Sequence, residues 1–469
     1  MMSGIAQKLH KVLGDKGWLT GQDTNAYSRD WLDCYGMTPL GVARPADTEE
    51  VSAVVRLCGE ANVVIVPQGG NTGLCGASVC GEAGGVILSL SRMTNVGLVD
   101  SDSGCIEVEA GVVLANLHAV LAEHSQMFPL HLGAEGSANI GGLIATNAGG
   151  SHAFRYGTMQ DLVLGLEVVL PDGRIWNGMR AVQKDNAGYQ LRRLFCGSEG
   201  TLGVVTRAVL RLFPAPQQRV TALLALPEPT ALVSFATRLR ASAGEFLNGL
   251  EFFNDTGVGL VLKHLPNVAF PLESHSPWYL LVELTTCSVD VPLDSILDAL
   301  LVAGMESGEV TDGALAMSEG QRLAFWQLRE EQPEGQRLEG RQLKHDLSVP
   351  PGSLGKFLAE ADVICSDTIP GVLINPFGHM GDGNVHFNLT LPQQLSLSDD
   401  MLLVLTHRLG ELISRLRGSF AAEHGLGRSK VALADTLRDP IERQLMKRIK
   451  LALDAKNIMN PGVGTNELT

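Results

Sequence analysis

No uninterrupted apolar run in this chain approaches the roughly 20 residues that a membrane-spanning helix needs. The opening residues, MMSGIAQKLHKVLGDKGWLT, have neither the apolar core of a secretory signal nor an Arg/Ser-rich transit character. The expected location is therefore cytoplasmic, with no membrane span. Positive charge is also scarce. Against 36 Lys and Arg stand 51 Asp and Glu, a formal net charge of −15, which argues against a nucleic-acid partner, since phosphate binding needs a basic surface. Cys-x-x-Cys pairs are missing. Cys75 and Cys80 are too far apart, and the eight dispersed cysteines read as reduced core thiols. No Gly-x-Gly-x-x-Gly supports a Rossmann dinucleotide site. Walker A is absent, because the one Gly-Lys pair, Gly355-Lys356, is followed by Phe357, and there is no Gly-x-Ser-x-Gly elbow.

What is present is a chain of 469 residues, 45% hydrophobic and 19% charged, which suggests a folded protein of two or three domains. Its 53 glycines form no low-complexity tract or repeat, so they mark many tight turns. The first half reads as alternating helix and strand. In PADTEEVSAVVRLCGEANVVIVPQGG, Asp47 and Glu50 resemble a capping box, and Val51, Val54, Val55 and Cys58 recur at helical spacing. NVVIVP then reads as a buried strand, and Pro214 and Pro216 mark a boundary. From about residue 217, VTALLALP and WYLLVELTT read as antiparallel strands. They are interleaved with the helices PTALVSFATRLRAS and LDSILDALLVAG, an α+β pattern. The end, DPIERQLMKRIKLALDAKNIMNPG, reads as an amphipathic helix with Ile441, Leu445 and Ile449 on one face.

Two kinds of segment carry chemistry. The first is glycine-dense. PQGGNTGLCGASV at 67–79 follows a buried strand and can turn successive backbone N–H groups toward one point, a nest for a pyrophosphate, although a plain turn has the same composition. GSANIGGLIATNAGG and GSEGTLGVV are similarly polar, and three such loops in one half-chain fit a large, extended, anionic cofactor.

The second is NPFGHMGDGNVHFNLT at 375–390. Past its Gly-Asp-Gly turn, Val385, Phe387 and Leu389 alternate with His386, Asn388 and Thr390, the period of a half-buried strand. His379 stands before the turn, in reach of His386. With Glu423 of AAEHGLGRSK the pair suits Zn²⁺, and equally Mn²⁺ or Co²⁺. Hydrogen bonding within the turn, with Glu423 capping a helix, remains the alternative. Arg329 and Lys344 are cations that could meet a carboxylate, and they are also residues that commonly stay solvated.

The order PQGGNTGL, GGLIATNAGG, YGTMQDLVLGLEVVLPDG and KDNAGYQLRRLFCGSEGTLGVVT resembles the FAD domain of the vanillyl-alcohol-oxidase-type flavoproteins over nearly the whole chain. GHMGDGNVHFN with EHGLG resembles their D-2-hydroxyglutarate and D-lactate dehydrogenase branch. The resemblance implies an α+β architecture: a two-subdomain PCMH-type FAD-binding domain at 1–216, a substrate domain with an antiparallel sheet and metal site at 217–424, and a C-terminal helical segment at 425–469 returning to the FAD domain. By it, Pro67, Gly69, Gly70, Asn71, Thr72 and Gly73 hold the pyrophosphate. Gly133, Gly136, Ser137, Gly141, Gly142, Ala145, Thr146, Asn147, Gly149 and Gly150, with Glu199, Gly200, Gly203 and Val204, hold the ribityl chain and isoalloxazine. Gly157 and Asn460 are further flavin contacts. Asn71 and Thr72 stand where some members attach flavin through histidine, so non-covalent FAD is expected. Gln68 departs from a frequent arginine.

The same resemblance assigns His379, His386 and Glu423 to a divalent metal, His424 to the base, and Arg329, Lys344 and Asn388 to the substrate carboxylates. The implied reaction oxidises a D-2-hydroxy acid, D-2-hydroxyglutarate first, to the 2-oxo acid by hydride transfer to flavin N5. Electrons then pass to an acceptor such as an electron-transfer flavoprotein or a quinone, and a homodimer is the family expectation. Pro333, where relatives offer a hydroxyl, leaves D-malate or D-lactate as alternative substrates; glycolate is a further alternative in the family, against which the amide of Asn388 speaks. A colourless metal hydrolase, a flavin-containing transferase and an inert flavin-binding module are the rival classes.

Overall fold

In a computed structural model of the chain, residues 2–81, 84–393 and 398–466 are described. They divide into two compact units, one of residues 1–150, 156–215 and 423–469, the other of residues 151–155 and 216–422. The C-terminal segment is thus part of the first unit and begins at Glu423, two residues before the expected 425. Residues 151–155 leave the first unit for the second.

In the first unit the helix Thr48–Ala61 starts where expected. Asp47 accepts from the Glu50 N–H at 2.8 Å, while Glu50 accepts from the Ala46 N–H at 2.7 Å. These bonds satisfy donors that the first turn leaves open. Val51, Val54, Val55 and Cys58 are buried, and Asn62 ends the helix in the left-handed region, φ 50°. One sheet holds β1 (Trp18–Leu19), β2 (Gly41–Ala43), β3 (Ile65–Gln68) and β4 (Val86–Ser89) in the order β1-β2-β4-β3, with β2, β4 and β3 parallel.

The second sheet is antiparallel. It comprises β5 (Val96–Asp100), β6 (Cys105–Glu109), β8 (Val163–Val169), β9 (Ile175–Gly178) and β10 (Val204–Arg211), in the order β5-β6-β10-β8-β9. A small pair, β7 (Gln126–Met127) and β11 (Phe213–Pro214), lies beside it in sequence. Every residue of β8 is buried, so the sheet is covered on both faces at this strand, while β5 and β9 at its edges are largely open.

The helix Pro440–Leu453 turns its expected apolar stripe outward: Ile441 is 66% exposed and Leu445 51%. Arg443 and Lys450 are buried instead, each held by several hydrogen bonds. Arg443 meets Asp435 at 2.7 Å and the Gly464 carbonyl at 2.7 Å. Lys450 donates to Asp454 at 2.5 Å, to Met459 O at 2.6 Å and to Thr201 O at 2.8 Å. Of the eight thiols, Cys34 and Cys287 are exposed rather than in the core. Among the described residues no helix is long and apolar enough to cross a membrane.

The second unit is built on one seven-stranded antiparallel sheet. Its strands are β12 (Gln218–Leu226), β13 (Leu247–Asn254), β14 (Trp278–Thr286), β15 (Asp312–Leu315), β16 (Gln342–Ser348), β17 (Leu373–His379) and β18 (Asn384–Thr390), in the order β15-β12-β14-β13-β17-β18-β16. The strand β18 forms over the expected residues, but it is not half-buried: Asn384, Asn388 and Thr390 are buried along with the apolar positions, and only His386 is partly exposed. Val385, Phe387 and Leu389 are fully buried, each worth about 1.5–3 kcal/mol of burial. Phe357 of the helix Leu354–Thr368 packs edge-on against Phe387 at 5.5 Å. Glycine is required in the β17–β18 turn. Gly383 has φ 83°, and a Cβ there would lie 1.9 Å from the Val349 carbonyl oxygen. Asp382 closes the turn by accepting from the Asn384 N–H at 3.0 Å.

Candidate functional site

In the first unit the three glycine-dense loops converge. Pro67 lies in β3, and the chain then turns through Gly69, Gly70, Asn71, Thr72 and Gly73. Asn71 adopts φ 54° and is held by donating to Arg29 O at 2.7 Å and accepting from Ser78 Oγ at 2.7 Å. Gln68 donates to Tyr27 O and Ser78 O, so it secures the loop rather than facing a phosphate. A Cβ on Gly70 would lie 1.9 Å from Ser137 O, and one on Gly69 would touch Asn139 and Gly142. Backbone packs on backbone here.

Gly133, Gly136 and Ser137 precede the helix Ile140–Ala145, which contains Gly141, Gly142 and Ala145 and ends at Thr146. Asn147 follows at φ 50°, then Gly149 and Gly150; Gly157 lies beyond at φ 85°. The third loop joins through Gly197 N–H to Ile144 O at 3.0 Å and Glu199 N–H to Ala145 O at 2.7 Å. Gly200 packs on Pro67, and Gly203 and Val204 lead into β10. Asn460 staples the arrangement, donating to Ala77 O at 2.8 Å and Glu199 O at 2.9 Å. A side chain at Gly73, Gly133 or Gly136 would meet no protein atom within 4 Å. Glycines crowded where the loops meet, with open ones beside them in the same loops, suit a cradle for an extended cofactor.

Glu199 is a buried carboxylate of this unit. It accepts from Gly427 N–H at 2.9 Å and Leu426 N–H at 3.3 Å, fixing the loop that begins with Glu423 and His424. Burial pushes its pKa up to about 7, while the Gly427 and Leu426 donors and Lys430 pull it down. Glu423 and His424 directly follow Ala422, the last residue of the second unit.

In the second unit the strand register gathers the polar residues on one sheet face. Asp346 of β16 is paired with His386 of β18, which is paired with Phe377 of β17. Two residues along, Lys344 pairs with Asn388, which pairs with Asn375. Asp346 and His386 bring ligand atoms within 4.8 Å of each other. The His379 and His386 rings are edge-to-face at 5.7 Å.

Behind them lies Glu251 of β13, fully buried and paired with His379. Its carboxylate meets His379 Nδ1 at 2.7 Å and Arg329 Nη2 at 2.7 Å, and the Arg329 guanidinium sits over the Phe377 ring at 4.7 Å. With Nδ1–H donated, His379 keeps the Nε2 lone pair for a ligand, the arrangement that orients metal-binding imidazoles. Asn388 donates to Gln336 Oε1 at 2.9 Å. Lys344 is surface-exposed, yet crowding by neighbouring protein lowers its pKa, with Arg337 adding to the effect and Glu334 opposing it.

Residues 39–178 match the FAD binding domain family, and residues 215–463 match the C-terminal domain of FAD linked oxidases. The chain is 37% identical over 434 residues to the mitochondrial D-2-hydroxyglutarate dehydrogenase of Bos taurus, covering 92% of this chain and 78% of that one. It is 36% identical over 442 residues to D-2-hydroxyglutarate dehydrogenase of Xanthomonas citri pv. viticola, covering 94% and 92%. This chain belongs to the FAD-linked oxidases. Within them it falls in the D-2-hydroxyglutarate dehydrogenase branch and is an FAD-dependent oxidoreductase. The fold is shared with p-cresol methylhydroxylase solved with substrate bound, at a TM-score of 0.75 and 17% identity over 98% of this chain and 96% of that one.

Three residues of this FAD-linked oxidase were not singled out for their positions: Glu251, Gln336 and Asp346. Glu251 sits in GLEFF, where one acid in an apolar strand was the available signal, since a buried carboxylate needs a partner. Gln336 lies in a polar helix with nothing to mark it. Asp346 was visible beside Lys344 in the alternating β16.

Proposed function

We propose that the chain oxidises a D-2-hydroxy acid to the corresponding 2-oxo acid, with D-2-hydroxyglutarate the foremost substrate, using non-covalent FAD and a divalent cation, Zn²⁺ before Mn²⁺ or Co²⁺. The named relatives support the substrate class. The observation that carries the reading is the polar face of β16 and β18, where metal-type donors stand one register step from carboxylate-binding groups.

In this reading His379 Nε2, His386 and Glu423 hold the cation, with Asp346 a further donor beside His386. His424 takes the proton of the substrate hydroxyl, imidazole being the side chain suited to that task near neutral pH. Lys344 and Asn388 meet the substrate carboxylates. Arg329 serves the same end while balancing Glu251, so its grip is shared. When bound, the flavin supplies the hydride acceptor and the cation supplies Lewis acidity.

One observation favours a shorter acid. Pro333 occupies the first turn of the helix Gln332–Glu339, where it fits without loss of a helical hydrogen bond but offers no hydroxyl to a distal carboxylate. The deciding experiment mixes the flavoprotein anaerobically with D- and L-2-hydroxy acids of two to five carbons and follows the yellow colour. Bleaching by D-2-hydroxyglutarate, and not by its L enantiomer, is expected. Bleaching confined to D-malate or D-lactate moves the assignment to the shorter acid, and persistence of colour with every acid rules the reading out.

A further inference from the structure

The helix Leu114–Ala122 and the loop that follows Leu130 are tied by backbone bonds: Leu114 N–H to Ala138 O at 2.9 Å and Ala115 N–H to Glu135 O at 3.0 Å. His118, one helical turn beyond Ala115, therefore overhangs the loop, and His131 faces it from the loop's start. Their rings lie 4.6 Å apart between centroids. Glu135 Oε2 stands 3.3 Å from His131 Nδ1 and 3.7 Å from His118 Nδ1. All three ligand atoms lie within 4.8 Å of one another. Two ligands at about 2.0–2.1 Å around a tetrahedral cation sit roughly 3.3–3.4 Å apart, so the cluster needs only a small contraction to close on one.

The geometry points to a divalent-cation site, zinc by preference, formed by His118, His131 and Glu135 in the first unit. The donor chemistry agrees. His118 Nε2 is shut off from solvent, leaving Nδ1 as the nitrogen turned toward the carboxylate. His131 and Glu135 are 47% and 40% exposed, leaving the remaining coordination positions to water.

A cation here is a brace. A Cβ on Gly150 would lie 2.1 Å from His131 O, so the same stretch of backbone borders the glycine-dense segment. Joining His118 to His131 and Glu135 ties that segment to the helix. The inference stands independently of the reaction proposed above.

Its test counts metal. Full-length FAD-loaded protein is stripped with a chelator and dialysed against buffered Zn²⁺, and bound zinc is measured per flavin. Wild type is expected to hold one equivalent more than His131→Ala and than Glu135→Gln, both partly exposed positions whose substitution leaves the core intact. His386→Ala, altered in the other unit, should retain the equivalent that His131→Ala lacks. That difference persists even if turnover needs no metal. Equal zinc in wild type, His131→Ala and Glu135→Gln overturns the site.

Discussion

Deleting the Glu251 carboxylate isolates two donors at once. Glu251→Ala leaves the Arg329 guanidinium, 7% exposed, without the counter-charge now 2.7 Å away. Breaking a buried ion pair by removing one partner costs about 3–5 kcal/mol, because the other charge stays buried and uncompensated. Removing that charge as well, in Glu251→Ala/Arg329→Met, relieves the penalty, so the double variant should be more stable than the single one. The second consequence is local. His379 loses the acceptor that fixes Nδ1–H and aims Nε2, and loss of such an outer partner weakens metal binding about 10–100-fold, or about 1.4–2.7 kcal/mol. Urea unfolding of the FAD-loaded protein reads the first effect, and competition titration with a zinc chelator reads the second. An unchanged urea midpoint in Glu251→Ala, or a double variant no more stable than the single one, would refute the reasoning.

Three further outcomes follow from the same structure. Glu199 has a folded pKa of about 7 against an ordinary 4.5, so the fold favours its protonated form. Its stabilisation is complete below the ordinary value and is lost as pH rises toward 7, on the order of 3 kcal/mol at about 1.36 kcal/mol per pH unit; Glu199→Gln should flatten stability against pH across that window, which urea midpoints at pH 4.5 and pH 7.5 would show. Lys450→Met leaves Asp454 buried without its cation and should cost about 3–5 kcal/mol, read as a lower urea midpoint. His424→Ala should retain FAD, seen as an unchanged visible spectrum, while turnover falls about 10²–10⁴-fold; near-normal turnover removes it as the base.

Much of this was readable because it is local. The helix after Asp47 declared itself through its cap and its apolar spacing, and β18 through its period of two, although the structure buries the polar positions Asn388 and Thr390 as well. The glycine-dense loops were recognisable because crowding at Gly70 and Gly200 demands glycine wherever two backbones meet. What depended on distant pairing was hidden. Glu251 acquires its role only because β13 lies against β17, 128 residues away in sequence from His379. Arg329 read as a free cation for a carboxylate, yet its charge is largely engaged by Glu251. The C-terminal helix shows the opposite failure. Its apolar stripe faces outward because Arg443 and Lys450, flanked by acceptors on the returning segment, make better buried partners than Ile441 or Leu445. Periodicity cannot report that, since it sees polarity and not satisfied hydrogen bonds.

The central claim is that flavin and cation act on the same substrate molecule, and the rate of flavin bleaching tests it most directly. Protein loaded with FAD is mixed anaerobically with D-2-hydroxyglutarate before and after metal removal, and again after Zn²⁺ is restored. The account predicts rapid bleaching with metal, its collapse on removal with the visible spectrum of bound FAD intact, and recovery on readdition. Equal bleaching rates in stripped and reloaded protein would contradict it.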